Sequence, residues 1–229
     1  MAGDFPQPGE CPVNAISYID DKTNSVNVFL LRNKDNPQIA EFENLFKLPL
    51  SREALFKELQ QFIIDNAGGI DKATKFKINN FKFNFNFYDE EIQLIQDFFM
   101  AVNHNQPDFL LAWNMAFDIP YLVERIKNLG YDPAIIMSHP DFEEKYAEYF
   151  IDEKHRSEYE LRGDYYKVSS YTVYMDQLVQ FASRRKGQAA FPNFKLDTAA
   201  DIITKGAVRK LNYSHITTNL TYLPYKSYK

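Results

Sequence analysis

Cysteine is almost missing from this chain of 229 residues, where Cys11 stands alone. One thiol cannot close an internal disulfide or build a thiolate zinc cluster, and four scattered histidines make a structural zinc site improbable. Glycine is scarce as well, at 8, against 20 Phe and 15 Tyr. That balance excludes collagen-like, low-complexity and disordered classes. No apolar run approaches the ~18–20 residues that span a bilayer, so no membrane partner is expected. The segment Met1–Pro8 has neither a basic stretch nor an apolar core; no secretory signal is expected, and the cytoplasm is the expected compartment. The length suits one domain with a sizeable core.

Positive charge is also in short supply, since the net charge is −5. By itself that predicts no affinity for nucleic acid. The distribution is uneven, however: Ser183–Lys229 holds nine Lys/Arg against two acids, Asp197 and Asp201. A basic flank of this kind suits phosphates, and equally suits a solvated surface.

The remaining pattern alternates strands and helices. Val13–Ile19 and Ser25–Leu31 flank the polar Asp20–Asn24, a hairpin signal. Ser51 opens an amphipathic helix as its cap, and Gly68-Gly69 ends it. Phe81, Phe83, Phe85 and Phe87 alternate with polar residues and Tyr88, as in a half-buried strand. Asp89-Glu90-Glu91 starts a helix whose inner side is Ile92, Ile95, Phe99 and Val102, and these acids are expected to be solvated. Phe109–Trp113 is a continuous apolar run, the pattern of a strand buried on both faces. A helix with Pro120 near its start then runs to Gly130. Residues from Pro133 to Tyr166 read as an irregular or helical insertion; Asp141 and Glu143 within it are expected to be solvated. Tyr171–Tyr174 reads as a strand, Asp176 as the cap of a helix from Gln177, and Leu196–Thr204 as a last helix. Such an order indicates a layered α/β domain.

Chemistry concentrates in Trp113-Asn114-Met115-Ala116-Phe117-Asp118-Ile119-Pro120-Tyr121-Leu122. An acid where an apolar strand meets a helix is costly to bury without a cation. On that residue alone, Asp118 reads as well as a helix N-cap, and Phe117 as core packing. The whole string resembles the second exonuclease motif of family B DNA polymerases. Asn105–Asp108 resembles the entry to its strand. Phe5-Pro6-Gln7-Pro8 and Pro12–Tyr18 resemble the opening turn and second strand of T-even-phage-type members. Met175–Leu178 and Phe194–Ala200 are similar to the domain's later segments. Two residues separate Asn114 from Phe117, where many members have three.

The resemblance implies a ribonuclease-H-like (DnaQ-like) mixed sheet flanked by helices, and proofreading 3′–5′ exonuclease activity. It implies Asp118 as catalytic, metal-binding carboxylate for Mg²⁺ or Mn²⁺, in a two-ion mechanism on the 3′ end of single-stranded DNA. Asn114 and Phe117 would contact that strand. Of the family's other acidic motifs, no Asp-x-Glu lies on a strand ahead of Val13, the strings at Asp89–Glu91 and Asp141–Glu143 being read as solvated acids, and no Tyr-x-x-x-Asp occurs. The resemblance places the first just ahead of Phe5 and the second just past Leu223–Lys229. Residues 1–229 are therefore expected to be one partial exonuclease domain, a fragment lacking the first central strand and the C-terminal motif helix. Its partner would be the rest of the polymerase; alone, it is expected to bind metal weakly or not at all, to be nearly inactive, and to self-associate through unpaired strand edges. Two alternatives stand beside this: a non-catalytic nucleic-acid-binding or assembly module of the same fold, and a free-standing nuclease using Asp20 or Asp176 as ligands.

Overall fold

The computed structural model describes residues 7–32, 37–185 and 191–206. Phe5-Pro6, most of the basic flank and Leu223–Lys229 lie outside them. The chain divides into two compact units.

One unit takes Asn14–Glu90 and the segment from Lys195. Its strands β1 (Ala15–Asp20) and β2 (Ser25–Leu31) form the expected antiparallel hairpin, in register from Ala15↔Leu30 to Asp20↔Ser25. The turn consumes Asp20, whose carboxylate accepts from the Lys22 and Thr23 amides and the Thr23 hydroxyl. Such an Asx arrangement leaves little for a metal. Strand β2 also pairs in parallel with Lys82–Tyr88, and a parallel return needs a crossover. Three helices supply it: α1 (Pro37–Lys47), α2 (Pro49–Asn66) and α3 (Ile70–Lys75), ahead of β3 (Lys82–Tyr88). The sheet is therefore mixed, in order β1-β2-β3. The Phe alternation lands as expected. Phe83 is buried, while Phe85 and Phe87 pack on a core of Leu30, Phe42 and Leu55. Phe42 meets Phe85 edge-on at 5.2 Å. Helix α2 starts two residues before Ser51, with a proline in its first turn and no side-chain cap, because proline at that point presets the helical φ.

The second unit takes Met1–Val13 and Glu91–Phe194. Helix α4 (Glu91–Asn105) buries Leu94, Ile95, Phe98, Phe99 and Val102. Strand β4 (Phe109–Ala112) leads into α5 (Met115–Asn128), then come α6 (Pro133–Met137), β5 (Ala147–Phe150), β6 (Tyr165–Val168), β7 (Val173–Asp176) and α7 (Gln177–Arg184). Strands β4 and β7 are parallel, from Phe109↔Val173 to Ala112↔Asp176. The chain then re-enters the first unit with α8 (Leu196–Thr204), where the sequence places it.

Three expectations need correction. The 133–166 insertion holds an antiparallel hairpin, Ala147↔Val168 to Phe150↔Tyr165, closed over a single 3-10 turn at Glu153–His155. Strand β4 is not buried on both faces: Phe109 and Leu111 are 53% and 52% exposed. Hydrophobicity alone does not bury a face, which needs an element packed over it; among the described residues β4 pairs with β7 alone, as β1 pairs with β2 alone, so each also has an unpaired edge. Finally, Glu91 is no solvated acid. It accepts two 2.7 Å bonds from Arg125 and one of 2.6 Å from the Val13 amide, with side chains only 9% and 15% exposed. The same arginine reaches the Gly9 carbonyl. Gly9 itself has φ +76°, and a Cβ there would come within 2.7 Å of the Arg125 amide nitrogen, so only glycine allows this approach.

Candidate active site

Helix α5 begins five residues before Pro120, which lies inside it. Asp118 is accordingly not its N-cap. That position belongs to Asn114, at φ −144° and ψ 62°, with no hydrogen bond from its side chain to the helix. The spacings 114, 117 and 118 place Asn114, Phe117 and Asp118 near one another on a single helical face. Met115, Ile119, Val123 and Ile126 fill the interior. Trp113 locks the junction, its indole N–H donating to the Phe194 carbonyl at 3.0 Å and its ring 5.6 Å from Phe181.

In front of this face lies a cavity of about 570 Å³. Asn114 and Phe117 line it from α5, and Tyr149, Arg156, Tyr159 and Arg162 from the hairpin. Phe117 packs against Tyr121, centroids 5.3 Å apart. Asp118 is not in the cavity wall, though its side chain reaches solvent. Among the described residues no donor bonds its carboxylate. Protein surrounds it closely enough that burial, and then the charge of Asp176, push it up to about 6.

Asp176 is 6% exposed and fully engaged. One oxygen accepts from the Leu178 and Val179 amides at 2.8 and 3.3 Å, the other from Ala116 at 3.4 Å. Burial raises its pKa while these amides, and then Arg162, pull it back. Arg162 pairs with Asp164 at 2.6 Å, with side chains 5% and 2% exposed. Asp164 also accepts from the Asp152 amide, and Asp152 binds the Gly163 amide and the His155 ring. These bonds fix the hairpin mouth. Beside it, burial and then the Asp176 and Asp164 charges raise the Tyr166 phenol, whose hydroxyl is buried without a hydrogen bond.

Among the described residues no group of three His, Cys, Asp or Glu converges as a metal cage. The donor present is nonetheless of the right type. An open carboxylate held toward neutrality by its surroundings gains most from a nearby hard cation. Asp20 and Asp176 are both tied to backbone amides.

The hairpin wall escaped the sequence reading. Arg156, Tyr159 and Arg162 stand some forty residues from the Asn114 motif and carry no local signal linking them to it. For Asp176 the α7 cap was legible; the bond to Ala116 was not. No helix among the described residues is long and apolar enough to cross a membrane.

The family model described as DNA polymerase family B, exonuclease domain, matches residues 1–197. No curated protein matches the chain. With most of its length covered by that match, the chain belongs to the family B DNA polymerase exonuclease domains, the 3′–5′ proofreading nucleases.

Proposed function

We propose that residues 1–229 form one partial exonuclease domain, acting in the cytoplasm on the single-stranded 3′ end of DNA beside the rest of its polymerase. Exonuclease domains of this family depend on divalent metal and act on DNA. In the intact polymerase Asp118 would hold Mg²⁺ or Mn²⁺ together with further carboxylates. Two such ions, when bound, supply the charge that activates water and stabilises the leaving oxygen. Everything else falls to the protein. Asn114 offers a carboxamide to the strand, Phe117 a ring to a base or sugar, and the exposed Arg156 of the hairpin a charge to phosphate. A match to an exonuclease domain does not favour the non-catalytic binding module.

The observation that carries this reading is the shared face of α5. Asn114 and Phe117 line a cavity of about 570 Å³, in the range of small-ligand sites, with the open Asp118 carboxylate one turn along. The test is removal of 3′-terminal nucleotides from labelled single strands by the intact polymerase, with and without Mn²⁺. Metal-independent shortening, or none, would count against it. Binding is measured on the present chain by fluorescence anisotropy with a single-stranded oligonucleotide. Phe117→Ala is expected to weaken it by about 1–3 kcal/mol, the usual worth of one stacked base. Affinity unchanged by that substitution would remove Phe117 from the interface.

Self-association is part of the same proposal. Strands β1 and β4 each have one paired edge among the described residues, and Phe109, Leu111 and Val173 leave apolar surface uncovered. Sedimentation is expected to show mass rising with concentration. A monomer throughout would dismiss the idea.

A further inference from the structure

We infer that Asp176 is a positioning residue: it caps α5 from the neighbouring strand and thereby releases the Asn114 side chain for DNA. This rests on the reading of Asn114 as a strand contact. Asparagine is among the best N-cap residues, and normally spends its side-chain oxygen on the amide two or three positions into its own helix. Here both of those amides are already served. The second, Ala116, donates to Asp176 at 3.4 Å. The third, Phe117, donates to the backbone carbonyl of Asn114 at 2.8 Å. Nothing remains for the Asn114 side chain to cap, and it lies exposed in the cavity wall.

The arrangement follows from the ladder. Asp176 pairs in register with Ala112, two residues ahead of Asn114, so its carboxylate sits under the first turn of α5. Its two oxygens divide the work, Oδ1 to α7 and Oδ2 to α5. A carboxylate offers acceptors on both sides, whereas a carboxamide offers one acceptor and one donor. Asp176→Asn can therefore keep the α7 cap through its oxygen while turning an N–H toward the Ala116 amide. Asn114 would then be drawn back to cap its own helix.

The experiment uses the full chain, an anisotropy titration with a single-stranded oligonucleotide, and thermal melts. Asn114→Ala is expected to leave Tm within about 1 °C, because the side chain caps nothing. An ordinary N-cap loss would lower it by ~2–4 °C at this length. Both Asn114→Ala and Asp176→Asn are expected to weaken binding by about two- to tenfold, the worth of one hydrogen bond. The double variant is expected to bind no more weakly than Asn114→Ala, since both changes withdraw the same group. Two losses that multiply, or a normal cap penalty at Asn114, would overturn the inference. If even the unaltered chain fails to bind, the functional reading falls. The melts then decide the cap separately: Tm steady for Asn114→Ala and lowered for Asp176→Asn upholds it, and the reverse overturns it.

Discussion

Arg125→Ala is expected to lower stability by about 3–5 kcal/mol, the usual cost of removing one partner from a buried ion pair. The guanidinium gives two 2.7 Å bonds to Glu91 and a third to the Gly9 carbonyl at 3.2 Å. Its pKa is raised chiefly by the bond to Glu91, a sign of how strongly the charged form is held. Without it, the 9%-exposed Glu91 carboxylate keeps only the Val13 amide among these partners. Most of the penalty is therefore an abandoned charge, and that makes a second forecast. Glu91→Leu combined with Arg125→Met is expected to recover much of the loss, because neither charge is then stranded. By contrast, Lys127→Ala removes an exposed partner of Glu124 and is expected to cost less than about 1 kcal/mol. Urea denaturation at constant m-value measures all three. A midpoint for Arg125→Ala no lower than that for Lys127→Ala would show the pair to be ornamental.

The Arg125 network also marks where sequence reasoning runs out. Periodicity makes local structure legible. The β1–β2 hairpin, the Phe face of β3 and the limits of α8 follow from spacing alone. Partnership across the fold has no such signature. Glu91 meets an arginine 34 residues away, so an acid that suits a helix start turns out to be interior. Phe109 and Leu111 have the hydrophobicity of a buried strand, but burial depends on what lies across from them. Residues 147–168 resist reading for another reason. Each strand of that hairpin has four residues, too few for alternation to stand out among the tyrosines and charges around it. Pro120 misplaced the start of α5, since proline usually marks a first turn and here lies in the second. That shift changes the meaning of Asp118, from a cap satisfying backbone amides to a side chain with no hydrogen-bond donor among the described residues. The motif pointed to the residue; only the coordinates show it open.

Asp118→Asn is expected to reduce 3′-end removal by the intact polymerase by roughly 10³-fold, while making the fold more stable at neutral pH. The first effect follows if Asp118 holds metal. Removing a ligand of that kind forfeits several kcal/mol of transition-state stabilisation, and each 1.36 kcal/mol is tenfold. Strand binding, proposed to rest on Asn114 and Phe117, is expected to survive, so the loss falls on kcat. The second effect follows from proton linkage. Burial first, then Asp176, raise the Asp118 carboxyl from 3.8 to about 6. A carboxyl raised on folding binds more protons in the native state than in the unfolded one between those values, so stability falls as pH climbs through that window. Below about pH 4 both states are protonated and the penalty is gone. Above about 6 it is present in full. The asparagine variant carries no such charge, so its advantage in Tm is expected to be near zero at pH 4, to grow to about pH 6 and then to level off. Because the side chain reaches solvent, the plateau will be smaller than a fully buried group would give. A site kept at a cost in stability and required for activity is what a cation-binding carboxylate should show. Retained cleavage, or a Tm difference independent of pH, would separate Asp118 from the chemistry assigned to it.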